Sequence, residues 1–514
     1  MTWRKAVWSL GATIAAGWAM TTAPVLAQDA KDTLRVAMHS KAPSRGDIYT
    51  IFYIFPSMYW WEGIFDSFVR IDDKAQILPF AAEKWEVMNP TTWRVTFRKD
   101  VEFTSGRKND AANVVKIFDY LHTTEAGKAS GIMRNMKLAS YRAVDSHTVE
   151  FVTPEPDPLL VAKFAAFYVA DMVAFNDMGR ANYGAKPVTS GPYKVVNWTD
   201  QEMQATVYEK SWRPAKIKNL YIVEVPEPAS RLAAIVSGQT DMAHNLAPED
   251  VARIKASGHT AAVEGAPFVD AVALFTKDFA NKWSGKAPFS DRRVRQAANY
   301  ALNRDSLAQN LFKGLARPAG QPAIPSTNGY NPSVLPYPYD PAKAKQLLTE
   351  AGYPNGFSVT METAVGLLGG RELLQVVSED LGKVGIKTEV VVVPFAERAR
   401  LFNQQKWNGD LTSFAMFHSP VMDAAIPFSV YDGCRLPIGM VCIPALNELL
   451  AAQEKEMDPA KRRALLQELM KRSSEEALAL YTFEGLDVTG ISKRVRGYKN
   501  WNKVIHYESM TLEN

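Results

Sequence analysis

From Arg371 to Val393 the chain reads as one helix delivered directly into one strand. Arg371 to Leu381 has helical character, Gly382 and Gly385 interrupt it, and Glu389 to Val393 is an almost uninterrupted apolar run. Such a run predicts a strand buried on both faces. A helix feeding a strand in this way marks a sheet covered by helices, the α/β class. The alternation recurs along the chain. Thr33–Met38 and Val149–Val152 are short strand-forming runs, and alternation over Trp93–Arg98 puts Trp93, Val95 and Phe97 on one face. Asp340 and Pro341, with Gly352 beyond the helical stretch that follows them, supply an N-cap, a first-turn proline and a stop. Val294, Ala297, Ala298, Ala301 and Leu302 form one apolar stripe at helical spacing. A chain of 514 residues exceeds what one hydrophobic core organises, so at least two lobes are expected.

The first 27 residues read as a targeting segment outside the fold. Arg4 and Lys5 open it, a mostly apolar stretch runs from Ala6 to Met20, and Val25-Leu26-Ala27 forms a cleavage site of the kind a signal peptidase reads. The mature chain then begins at Gln28, which is not the cysteine a lipid anchor needs. Without Arg4 and Lys5 the balance is 57 basic to 55 acidic residues, and no run of five like charges occurs, so a nucleic-acid partner is not expected. Export makes a disulfide the expected state of the only cysteine pair, Cys434 and Cys442, a local staple across a short loop.

Catalytic signatures are missing. The chain contains no GxSxG, HExxH, Walker-type loop or GxGxxG. Its seven histidines are dispersed, so neither a metal site nor a cofactor is expected and the chain does not read as an enzyme.

A series of ordered segments does stand out. Leu78–Glu86, Trp93–Phe103, Pro187–Lys194 (PVTSGPYK), Glu209–Trp212, Ser237–Asp241 and above all Phe289–Ala298 with Ala301–Arg304 occur in one order. Together they resemble the extracellular solute-binding proteins of family 5, which serve ABC importers of peptides, nickel and related solutes. Residues such as Trp85, Trp93 and Phe97 read as core in their own right. Arg292, Arg293 and Arg295, at the start of a helix whose dipole opposes them, read as a solvated face or structural ion pairs.

The resemblance implies a two-lobed clamshell of the type II periplasmic-binding-protein kind, with a subdomain inserted in lobe I. On that analogy lobe I comprises 28–65, 187–270 and 480–514, the insertion 66–186, and lobe II 271–479. It further implies a monomeric, periplasmic, non-lipidated protein that passes its solute to an inner-membrane permease with a cytoplasmic ATPase. A sensor or chaperone role uses the same fold, and a secreted hydrolase is the least supported alternative.

For the ligand the resemblance gives a mixed answer. Peptide-binding members carry an acidic residue that holds the peptide ammonium, three residues beyond a tryptophan. Here Phe417 replaces the tryptophan and Pro420 the acid, while Asp423 matches a later aspartate. Proline has neither charge nor N–H to offer an ammonium group. A non-peptide ligand, such as an apolar or aromatic carboxylate or a metal chelate, therefore stands beside a peptide. The aromatic run Tyr49–Trp61 suggests a stacking surface, and Trp60, Trp61, Phe417, His418 and Asp423 are the candidate contacts.

Overall fold

The computed structural model describes residues 31–513 apart from 50–54, 131–135, 275–287, 365–369, 395–396, 399, 402–408 and 432–442. Residues 1–27, which the sequence leads one to expect as a leader, and both cysteines, Cys434 and Cys442, lie outside the described residues.

One ten-stranded mixed sheet runs through the molecule. Its strands, in chain order, are β1 Thr33–Met38, β2 Tyr193–Trp198, β3 Glu202–Val207, β4 Asn219–Glu224, β5 Met242–Ala243, β6 Thr260–Leu274, β7 Phe357–Ala364, β8 Ile386–Val393, β9 Leu411–Phe417 and β10 Ala479–Ile491. Across the sheet they lie in the order β8-β7-β9-β6-β10-β5-β1-β4-β3-β2. Two parallel blocks sit on either side of its middle. In one, β1 pairs in parallel with β4 and β5. In the other, β7 pairs in parallel with β8 and β9. Between them β6 and β10 pair with each other in antiparallel fashion over nearly their whole length, each passing from one block to the other.

Local chemistry accounts for the elements. Asp340 caps the helix Pro341–Glu350 by accepting from Lys343 N, and Gly352 closes it at a φ of 88°. Val294, Ala297, Ala298, Ala301 and Leu302 are wholly buried, as the stripe predicts. Arg295 is buried and donates to the carbonyls of Phe289, Ser290 and Glu476, while Arg292 reaches Glu476 and Arg293 reaches Asp291. The arginine cluster is therefore structural.

One expectation fails. The valine run of β8 is not buried on both faces, because β8 is the outermost strand and Val390 to Val392 are only half-buried. An apolar run shows that a strand forms; its place in the sheet depends on the topology.

Between β1 and β2 the chain forms a separate four-stranded antiparallel sheet. Its spatial order is Ala82–Asn89, Thr92–Phe97, Thr148–Val152 and Ser140–Ala143, covered by the helix Ala111–Thr123. Trp93, Val95 and Phe97 face inward, and Trp85 packs on the same core from its edge. The chain re-enters the main sheet past Gly191. A Cβ there would lie 2.5 Å from the carbonyl carbon of Ile64, so only glycine allows the strand to pass this closely.

Candidate functional site

The two long strands do not cross between the blocks smoothly. Pairing of β6 with β10 holds from Thr260 to Gly265, then breaks and resumes at Val269 opposite Glu484. Ala266, Pro267 and Phe268 thus stand opposite the single residue Gly485. An inserted bulge of this kind bends a strand and turns its side chains, and Pro267 fits there because a bulge needs no ladder donor. A Cβ on Gly485 would come within 2.7 Å of the Ala266 carbonyl oxygen and 2.8 Å of the Phe268 ring. The connection between the blocks is narrow and kinked at one level, residues 265–269 and 484–486.

A cavity of about 450 Å³ opens on this kink. Val263–Ala266 and Glu484–Leu486 form its floor. Leu315–Arg317, Ile324–Ser326, Asp73, Asn500 and Asn502 complete its lining. Glu264 accepts from Asn500 Nδ2 at 2.8 Å and from the Tyr498 hydroxyl at 3.2 Å. Glu484 faces the same space, and among the described residues its carboxylate has neither a hydrogen bond nor an ion pair. Burial pushes the Glu484 carboxyl up to about 7, with the charge of Arg317 pulling the other way. Burial also raises Glu264, against its hydrogen bond from Asn500.

A second cavity, of about 590 Å³, lies between the turn Thr153–Leu159 of the smaller sheet and the segments Ala425–Ser429 and Gln453–Lys455. Its charges are largely matched internally, Lys163 to Asp157 at 2.6 Å and Lys455 to Glu155 at 3.3 Å. The cavity at the kink is the better candidate because it holds a carboxylate that the fold leaves without a partner.

The structure disperses the residues singled out from sequence. Trp60 and Trp61 are at most 2% exposed and belong to the core of the first block. Trp60 stacks on Trp198 and donates to the Ser40 carbonyl, and Trp61 meets the edge of Tyr168 and donates to the Arg45 carbonyl. The described part of the aromatic run is packing, since rings this large on a short helix bury more area inward than outward. His418 is fully buried, with Nε2 2.7 Å from the Pro322 carbonyl oxygen, and burial lowers its imidazole to about 4. Asp423 is 1% exposed and already engaged. Arg462 grips it through both guanidinium nitrogens at 2.6 and 2.9 Å, and Asn328 and the Ala425 amide complete its shell. Phe417 alone among the five is open, 37% exposed at the end of β9 with its ring against Phe268 beside the kink.

Sequence reading passed over Glu264 and Glu484. A usable signal existed: Glu484-Gly485 interrupts the mostly apolar first half of β10, Ala479 to Phe483, whose one strongly polar residue is Thr482. A charge placed in a core strand beside a glycine breaks a local rule, and such breaks concentrate at functional positions.

Two α/β bodies joined by kinked strands, with a cavity at the kink, define a two-lobed binding protein of the periplasmic type II class. Residues 76–434 match the middle region of the bacterial extracellular solute-binding proteins of family 5. The chain belongs to that family. It is 28% identical over 388 residues to heme-binding protein A of Haemophilus influenzae, covering 68% of this chain and 69% of that protein. It is 27% identical over 350 residues to glutathione-binding protein GsiB of Pectobacterium atrosepticum, covering 66% of this chain and 65% of that protein. The match thus spans about two-thirds of the length of these relatives. The structure of HbpA2 from Haemophilus parasuis superimposes with a TM-score of 0.79 at 20% identity, over 94% of this chain and all of that one. Among the described residues no helix is long and apolar enough to cross a membrane, and no group of three or more His, Cys, Asp or Glu is placed to hold a metal ion.

Proposed function

We propose that the protein is the exported solute-capturing subunit of an ABC importer, binding a small organic solute in the cavity at the kinked strands and presenting the closed form to a membrane permease. The supporting observation is the position of that cavity. Its lining includes the connection between the blocks together with segments far apart in the chain, Leu315–Arg317, Ile324–Ser326, Asn500 and Asn502. A solute touching both blocks favours the closed arrangement, since only there are all the contacts made at once. A differential affinity of about 5.5 kcal/mol would convert a mostly open population into a mostly closed one.

Family members that bind heme and glutathione by name support a solute class wider than standard peptides. Pro420 points the same way, because the acidic residue that peptide binders use at that step is absent. Solution scattering tests the capture itself. Adding a low-molecular-weight extract of the producing cells to solute-stripped protein should reduce the radius of gyration, and an unchanged radius at saturation with every fraction would overturn the reading.

Phe417, exposed beside the kink with its ring against Phe268, is the proposed apolar contact for the solute. Phe417→Ala should weaken binding by about 1–2 kcal/mol, as for an aromatic residue at the edge of a packed contact. Ligand-dependent quenching of tryptophan fluorescence reads this directly; an affinity equal to wild type would remove Phe417 from the site.

A further inference from the structure

Resting on the capture reading above, we infer that the cavity at the kink takes the cationic end of the solute, an ammonium or guanidinium group, between Glu484 and Glu264. Three observations converge. The first is the balance of charge. The residues lining the cavity bring Asp73, Glu264 and Glu484 against the single cation Arg317, an excess of two negative charges in a space that burial has partly desolvated. Carboxylates withdrawn from water need a counter-charge, and Arg317 does not close on either glutamate. Among the described residues its guanidinium forms no ion pair, and it is exposed at the rim.

The second is unused acceptor capacity. Asn500 spends its amide N–H on Glu264, which leaves its Oδ1 buried without a donor among the described residues. Glu484 likewise accepts nothing there. An occupant carrying N–H donors satisfies the Glu484 carboxylate, whereas an anionic or purely apolar occupant would leave it bare.

The third is elimination. The other acidic candidate from the sequence, Asp423, is consumed by Arg462, and position 420 is proline. If the solute carries a cation, its partner must come from elsewhere, and Glu484 is the carboxylate available at the cavity floor.

The placement makes binding sensitive to pH. The charged and titratable groups around the two glutamates are Arg317, Asp73 and Tyr330 beside Glu484, and Tyr498 and Asp487 with its partner Lys503 beside Glu264. Asp487 is already neutralised by Lys503, so Glu484 and Glu264 govern the response. A cationic group binds the ionised carboxylate, and burial pushes the Glu484 carboxyl up to about 7 against the charge of Arg317. Affinity should therefore be full above that value and fall as pH drops through it, approaching tenfold per unit.

The test uses the full mature chain, stripped of solute by unfolding and refolding. The low-molecular-weight extract is split on a strong cation exchanger at about pH 3, where carboxylates are neutral and only amines and guanidines are retained. The retained fraction should raise the unfolding midpoint and contract the particle in scattering. Glu484→Gln should weaken binding of that fraction at least tenfold and flatten its pH profile between about 6 and 8, with Glu264→Gln intermediate. Contraction by the unretained fraction alone would overturn this inference while leaving solute capture intact, as would a Glu484→Gln protein with wild-type affinity and pH profile. Contraction by neither fraction would overturn the capture reading as well.

Discussion

Arg213→Met should cost about 3–5 kcal/mol of stability, because it leaves buried carboxylates without their cation. Arg213 is 7% exposed and sits where three separated parts of the first lobe meet. Its Nε donates to Asp66 at 2.6 Å, one terminal nitrogen to Glu508 at 2.9 Å, and the other to the carbonyls of Phe65 and Glu62. Arg70 completes the cluster, reaching Glu62 at 2.8 Å and Glu508 at 2.7 Å. Methionine fills much of the volume but satisfies none of these oxygens, and Asp66 is wholly buried. Urea unfolding monitored by circular dichroism should show the loss as a lower midpoint; an unfolding free energy within about 0.5 kcal/mol of wild type, the size of an ordinary surface substitution, would refute it.

The same cluster gives stability an acid limit. Burial alone would disfavour ionised Glu508, but the charges of Arg213 and Arg70 outweigh it and hold its carboxyl far below the usual range. A carboxyl whose folded value is depressed contributes fully above the unfolded glutamate value, near 4.3, and loses that contribution as pH falls below it. Wild type should therefore lose stability steeply below about pH 4. Glu508→Gln should be weaker at neutral pH and nearly flat through that window, measured as unfolding midpoint against pH; parallel curves for the two proteins would show that Glu508 is not responsible.

Much of this architecture can be read from the residues because local rules determine it. The alternation at Trp93, Val95 and Phe97, the Asp340 cap and the alanine stripe after Arg293 each specify an element through interactions within a few residues. The cavity could not be read this way. It arises where β6 and β10, some 220 residues apart along the chain, fall out of register, and nothing near Glu264 announces that Glu484 will face the same space. The described part of the aromatic run turned out to be packing for the complementary reason. Large rings close together signal burial as readily as binding, and Trp60, Trp61 and Tyr59 found partners inside the lobe. The family motifs located the fold, while Glu264 and Glu484 lie outside those motifs.

Asp423→Ala should be the second severe lesion, again about 3–5 kcal/mol, and its character separates two roles for this aspartate. The sequence makes Asp423 a candidate contact, matching a later aspartate of the peptide binders. The geometry instead shows a buried fork, both oxygens taken by Arg462, with Arg462 also donating to Gln453. This pair ties the turn after β9 to the helix Pro459–Glu475, next to the apolar side chains of Met422, Leu466 and Leu469. Removing the carboxylate leaves a guanidinium 4% exposed with no counter-charge, so the loss falls on the folded state. The double variant Asp423→Ala with Arg462→Met should recover much of it, since replacing both members of a buried pair by apolar groups is far less costly than orphaning one. If Asp423 were instead the solute's anchor, the single variant would keep its unfolding midpoint and lose affinity, and the second substitution would restore nothing. Unfolding midpoints of the wild type, the two single variants and the double variant therefore decide between a structural clamp and a binding residue.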